Sequence, residues 1–451
     1  MTPLPDTRLD TAARMRTGSV GMLTDQYELT MVQAAIGSGH ADRRSVFEVF
    51  GRRLPNRRRY GVVAGTGRLL EVLRDFRFAE DDLAFLADSG VLDDATLGWL
   101  SDYRFVGSIW GYPEGECYFP GSPILVVEGR FAECVVLETL ALSILNHDTA
   151  IASAAARMRG AAGDRTLVEM GSRRTHEEAA VAAARAAWIA GFDATSNLAA
   201  GSRYGVPTAG TAAHAFTLLH ATEREAFAAQ VSSFGAGTTL LVDTYDIAEG
   251  VRRAVEAAGT GLGSVRIDSG DLATVAVHVR DELDRLGAAH TKILLSGDLD
   301  EYAIAGLASA PVDSYGVGTS LVTGSGAPTA ELVYKLVGVA ETDDPDAPMR
   351  GVAKRSAGKP THKGRKWALR RLDAAGFAET EVLSTRAVPE GDTNDRALLV
   401  ELVRNGEVLE QEPMTAARDR LVRSLAELPP EARQLSAGDP AIDTVHLDEL
   451  G

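Results

Sequence analysis

Only two cysteines occur in 451 residues, Cys117 and Cys134, and they form no CxxC pair. That excludes a disulfide scaffold and a zinc–thiolate site, and it suits a reducing cytoplasm. Basic residues are in deficit, 46 against 63 acidic, for a net charge of −17. A field of that sign recruits neither nucleic acid nor an anionic membrane, so an anionic substrate needs locally concentrated basic side chains. The opening residues, MTPLPDTRLDTAARMRTGS, lack the apolar core of a secretory signal. No uninterrupted apolar run approaches the roughly 18 residues of a membrane helix. Several nucleotide and hydrolase motifs are missing as well. There is no GxxxxGK[ST] loop and no GxSxG elbow, and HEEAA at 176–180 lacks the second histidine of a zinc helix. The glycines at 259, 261 and 263 precede a strand-like run, which is the wrong side for a dinucleotide-binding turn.

What is present is an ordinary globular composition, 45 % apolar and 24 % charged, at a length that suggests about three domains. Residues 1–18 read as a polar, disordered lead-in, and 19–135 as a mixed α+β region with strand-like SVFEVF (45–50) and ILVVEG (124–129). From 136 the pattern becomes regular. Apolar runs suited to buried parallel strands appear at TLVE (166–169), VPTAG (206–210), TTLLVD (238–243), SVRIDSG (264–270), KILLSG (292–297), SYGVG (314–318) and ELVYKLV (331–337). Amphipathic stretches separate most of them. The clearest is 271–286, where Leu272, Val275, Val279, Leu283 and Leu286 share a helical face. This is the spacing of βα units, in a barrel-like or doubly wound parallel sheet. A polar link at 341–347 leads to a second α+β stretch reaching 430 and a loose acidic tail, 431–451.

The apolar runs end alike. Glu169 to Arg174, Gly210 to His214, Asp243 to Asp246, Arg266 to Asp271, Ser296 to Asp298 and Gly316 to Ser320 each finish in glycine, hydroxyl or charged residues. Ligands of parallel sheets bind at the carboxyl ends of strands, where helix N-termini present free N–H groups. Each residue alone has an ordinary use. Asp246 and Asp271 open helices, where acids commonly cap, and a lone His214 is most often a hydrogen-bonded core histidine. Their joint placement on one rim points to a shared site. Paired arginines and glycine turns suit a phosphorylated sugar, and the carboxylates of Asp268 and Asp271 suit ribose hydroxyls or Mg²⁺. The run Lys354 to Lys366 reads equally as a polyphosphate loop or a solvated basic loop, and Arg52 to Arg59 mainly as surface charge.

These residues resemble the nicotinate phosphoribosyltransferases, of the type II phosphoribosyltransferase group. The likeness runs through LTDQYELTM (23–31), EMGSRR (169–174), GFDATSN (191–197), GTAAHAF (210–216), LVDTYD (241–246), RIDSGDL (266–272), SGDLDE (296–301), SYGVGTSLVT (314–323), VYKLV (333–337) and KRSAGK (354–359). The resemblance implies an irregular α/β barrel over 136–340 carrying the active site. It packs on an α+β domain built from 19–135 and from 341–430, the latter including the polyphosphate loop. It also implies a homodimer with shared active sites. The implied reaction turns nicotinate, phosphoribosyl pyrophosphate, ATP and water into nicotinate mononucleotide, pyrophosphate, ADP and phosphate, with Mg²⁺ as cofactor.

Carried onto this chain, the resemblance makes His214 the phosphorylated histidine and Asp243 the carboxylate that orients it. Tyr27 stacks on the pyridine ring from the partner subunit, and Arg266 and Thr211 meet the nicotinate carboxylate. Arg173 binds phosphate, while Asp268, Ser196 and Asn197 lie near the ribose. Gly297, Gly318 and Thr319 cradle the 5′-phosphate, and Lys354, Ser356 and Lys359 form the polyphosphate loop. Met170 stands where a related family acting on the amide has an aromatic ring. The alternatives are that amide-specific activity, or a catalytically retired regulatory barrel.

Overall fold

Short apolar runs with polar ends do form parallel strands, and the amphipathic stretches between them return the chain as helices. The computed structural model describes residues 19–344, 346–354 and 362–449. Six strands lie in the order Ala194–Thr195, Thr166–Glu169, Ser314–Val317, Lys292–Ser296, Ser264–Ile267 and Thr239–Leu241. Every neighbouring pair is parallel, so the sheet curls as an open half-barrel. The register aligns the strand ends: Glu169 pairs with Val317, Gly316 with Ser296, and Arg266 with Leu241. The helix Leu272–Arg285 buries Val279 and Leu283, with Leu272, Val275 and Leu286 packed at the margin.

A second, antiparallel sheet of seven strands joins chain segments from both sides of the half-barrel. Its order is Met349–Gly351, Leu332–Ala340, Arg44–Gly51, Leu125–Arg130, Ser108–Gly111, Val400–Arg404 and Glu407–Val408. Here the structure corrects one expectation. Leu332–Ala340, read as the last parallel strand, pairs antiparallel with Arg44–Gly51, and Tyr334 stacks on Phe47 at 4.9 Å. Its burial partly alternates, as a strand covered on one face does. VPTAG forms no strand either. Thr208 makes a single bridge to Thr195, and the chain then turns away toward His214.

The tail is not loose. Asp443–His446 adds a parallel strand to Ala378–Ser384, and Asp448 accepts the backbone N–H and hydroxyl of Thr385, each at 2.8 Å. The lead-in 1–18 lies outside the described residues. The stretch Phe131–Ala162 is long and apolar enough to cross a membrane by composition, with a window of mean hydropathy 1.3, but 67 % of that window is buried inside the protein. Within it Arg157 pairs with Glu301 at 3.0 Å and Asp148 with Arg68 at 2.8 Å, and the helix Glu138–Ala162 packs on the helix Glu177–Ile189. It is the core helix between the two sheets. The arginine-rich run near residue 55 is partly structural: Arg58 is buried and donates to the Gly324 carbonyl at 2.6 Å.

Candidate active site

The level strand ends bring four segments onto one rim. Arg266, near the end of its strand, projects a guanidinium whose Nε donates to the Ser296 hydroxyl at 2.8 Å. One terminal nitrogen donates to Thr211 Oγ1 at 3.0 Å and the other to Asp268 Oδ1 at 3.0 Å. Its side chain is 15 % exposed, against 36 % for Asp268. Ser296 also donates to Asp268, so the arginine is held in a ring of oxygens. Burial alone would raise the Asp268 carboxyl. The Ser296 hydroxyl and Arg266, with His214 adding to them, outweigh it and hold the carboxyl below its ordinary value.

His214 opens the short helix His214–Leu219 with its ring 41 % exposed. Its Nδ1 lies 3.1 Å from Thr244 Oγ1, and its Nε2 lies 3.7 Å from Asp243 Oδ1. Asp243 is buried. Its Oδ2 accepts the Asp268 backbone N–H at 2.8 Å and the Ser269 hydroxyl at 2.7 Å, while its Oδ1 is buried without a hydrogen-bond partner. That carboxylate oxygen faces the imidazole, where it can accept from Nε2–H and so fix the tautomer of the ring.

Further around the rim, Gly297 has φ +118°, and a Cβ there would sit 2.7 Å from the Asp268 carbonyl oxygen. Only glycine fits that turn. Gly318 and Thr319 follow the next strand and start the one-turn helix Thr319–Val322. Beside them Glu169 is buried, accepting the Thr195 hydroxyl and the Gly171 N–H. Burial pushes its carboxyl up, partly offset by those two bonds. Asn197 caps the helix Leu198–Tyr204 by accepting from Ala200 N–H at 2.9 Å, and its amide donates to Ser172 at 3.1 Å. Ser196 and Arg173 are exposed, and Arg173 has no ion-pair partner among the described residues.

Three expected groups stand elsewhere. Tyr27, 45 % exposed, lies on the helix Gln26–Gly37, which packs against the antiparallel sheet's own helices. Lys354 is exposed beyond the strand Met349–Gly351, while Ser356 and Lys359 lie outside the described residues. Asp271 takes the capping use open to an acid at a helix start: its carboxylate accepts from Thr274 N–H of the helix Leu272–Arg285 at 3.2 Å. With Asp268 committed to Arg266 and Ser296, the pair does not fit a metal cage. No cluster of three or more His, Cys, Asp or Glu that could hold a metal exists among the described residues. The sequence places Ser296, Thr244, Ser269 and Glu169 on the polar rim without a role for any of them; that each supports a neighbour through a hydrogen bond is visible only in the fold.

Residues 22–146 match the nicotinate phosphoribosyltransferase (NAPRTase) N-terminal domain family. The chain is 58 % identical over 448 residues to the nicotinate phosphoribosyltransferase pncB1 of Mycobacterium tuberculosis, covering 96 % of this chain and 98 % of that protein. To pncB2 of the same organism it is 38 % identical, covering 94 % and 90 %. Among solved structures, human nicotinic acid phosphoribosyltransferase superposes with a TM-score of 0.79 at 26 % identity, covering 95 % of this chain and 98 % of the human one. Its sequence and its fold agree, and the chain belongs to the nicotinate phosphoribosyltransferase family.

Proposed function

We propose that the chain transfers the phosphoribosyl group of phosphoribosyl pyrophosphate to nicotinate, forming nicotinate mononucleotide and pyrophosphate as a step in NAD biosynthesis. ATP is hydrolysed alongside to ADP and phosphate through phosphorylation of His214. The observation that carries this reading is the anchored guanidinium. Arg266 spends three of its five N–H donors on Ser296, Thr211 and Asp268, which leaves one on each terminal nitrogen. Two donors on a little-exposed cation suit the two oxygens of a carboxylate. A neutral carboxamide, with one acceptor oxygen, satisfies them less well. That favours the acid over the amide, and an intact ring of side chains speaks against a retired barrel.

In the transfer, the pyridine nitrogen forms its bond to the anomeric carbon as the bond to the pyrophosphate oxygen breaks. The nucleophile is a lone pair, so the protein supplies orientation and electrostatics. Arg266 aims the ring. Asp268, held ionised, stabilises positive charge developing on the ribose. The Gly297 turn, Gly318, Thr319 and the free Arg173 receive the 5′-phosphate and pyrophosphate, with Ser196 and Asn197 beside the sugar and Lys354 as part of the polyphosphate loop. Mg²⁺ would travel on pyrophosphate oxygens and water, its usual ligands. Asp243 supports His214 in accepting the phosphoryl group.

Tyr27 and Leu23 are exposed on the antiparallel part. Donation of Tyr27 across the two-fold of a homodimer gives an exposed aromatic ring a base to stack on. Both cysteines are free and buried, which suits a cytoplasmic enzyme. A single-turnover assay with labelled nicotinate or nicotinamide, phosphoribosyl pyrophosphate, Mg²⁺ and ATP tests the whole reading. Nucleotide should form from the acid far faster than from the amide. Equal rates would remove the specificity, and no transfer from either would mean a retired site.

A further inference from the structure

Away from the rim, a cavity of about 210 Å³ opens between the start of the helix Thr66–Asp75, the strand Val400–Arg404 and the helix Met414–Glu427. Two buried polar atoms of its lining have no hydrogen-bond partner: Thr66 Oγ1, in a residue 3 % exposed, and Gln411 Nε2. No side chain caps the helix, whose second residue, Gly67, also lines the cavity. A Cβ at Gly67 would meet the Arg185 guanidinium at 2.5 Å, so the backbone forms the wall there. The remaining walls mix apolar side chains, among them Leu70, Leu402, Leu409 and Met414, with charged ones. Buried donors left unpaired are costly, and an acceptor-bearing occupant would relieve them.

Size and charge narrow that occupant. An apolar cavity of about 150 Å³ holds benzene, so this one has room for a single ring and one polar arm. Among the lining residues are four carboxylates, Glu114, Glu401, Glu410 and Glu412, against one cation, Arg420. Glu114 is paired with Arg185 at 2.7 Å and Glu412 with Arg420, while Glu410 has no ion-pair partner among the described residues. Among the described lining residues no spare cation exists for an acid. A neutral carboxamide instead accepts from Gln411 Nε2 and Thr66, and its NH₂ meets surplus acceptors. We propose that this cavity is a binding site for a small monocyclic carboxamide, separate from the nicotinate rim.

The probe is benzamide, with benzoate as the charged counterpart, titrated into the full chain by calorimetry and saturation-transfer NMR. Benzamide should bind once per chain, undisplaced by saturating nicotinate and phosphoribosyl pyrophosphate, and at least about tenfold more tightly than benzoate. Gln411→Leu removes one neutral hydrogen bond and should weaken it about threefold to tenfold. Val400→Trp, at an exposed lip position, should abolish binding while melting temperature and turnover stay unchanged. No benzamide binding to folded protein, displacement by nicotinate, benzoate binding as tightly, or indifference to both variants would each overturn the proposal. So would a crystal soak that shows water alone in the cavity.

Discussion

Arg266→Ala separates the carboxylate-binding role from a phosphate-binding one. The guanidinium offers its two remaining N–H donors to the substrate, and hydrogen bonds to charged groups contribute about 1.5–3 kcal/mol each. Losing both should cost binding roughly 3–5 kcal/mol, the range for breaking a buried ion pair. At about 1.4 kcal/mol per factor of ten, nicotinate KM should rise a hundredfold or more, while KM for phosphoribosyl pyrophosphate moves only a few-fold. Stability should suffer less than affinity. Asp268, 36 % exposed, turns to water once Arg266 is gone, and solvent screening shrinks the loss toward that of a surface pair. Arg266→Lys sharpens the test, because it retains charge and loses the fork, so it should recover only part of the affinity. Steady-state kinetics with each substrate varied at saturation of the other, together with a melting curve, provides the readout. Equal rises in both Michaelis constants would place Arg266 on the phosphates and refute the reasoning.

Three more outcomes follow from the same geometry. Incubation with labelled Mg-ATP should put an acid-labile, base-stable phosphoryl group on His214; label persisting in His214→Ala, or found on another residue, would overturn its role and that of Asp243. Mixing Tyr27→Ala with the double variant His214→Ala/Asp268→Ala should restore activity to roughly a quarter of wild type under random exchange, since about half the dimers then hold one intact pocket; no recovery despite demonstrated exchange would mean that Tyr27 serves its own chain or none. Glu28 is pushed by burial from an ordinary 4.5 to about 7, against the Thr139 and Thr24 hydroxyls that lower it. Between those values the folded state holds a proton that the unfolded chain has released, so stability should fall as pH rises from about 4.5 to 7, by at most on the order of 3 kcal/mol. Glu28→Gln should flatten that slope in denaturant titrations, and an unchanged slope would assign it to other groups.

Local periodicity and end residues were enough to mark most parallel strands, the helical face around Val279 and the polar rim, because both depend on neighbours a few residues apart. They also offered the capping use of Asp246 and Asp271 that the structure shows at both positions. A strand's partner is a different matter. ELVYKLV carries apolar residues either way, and only the packing of Tyr334 on Phe47 decided for the antiparallel sheet. The acidic tail looked unattached because its partner, Ala378–Ser384, lies about sixty residues earlier. Likewise the sequence presented Arg266, Thr211 and Ser296 as separate strand-end residues, 55 and 30 positions from the arginine. It took the level register of parallel strands to close them into one ring around a single cation. Hydrogen bonds act over about 3 Å in space, whatever the distance along the chain, so residue types announced the chemistry while the folded path alone determined which of them meet.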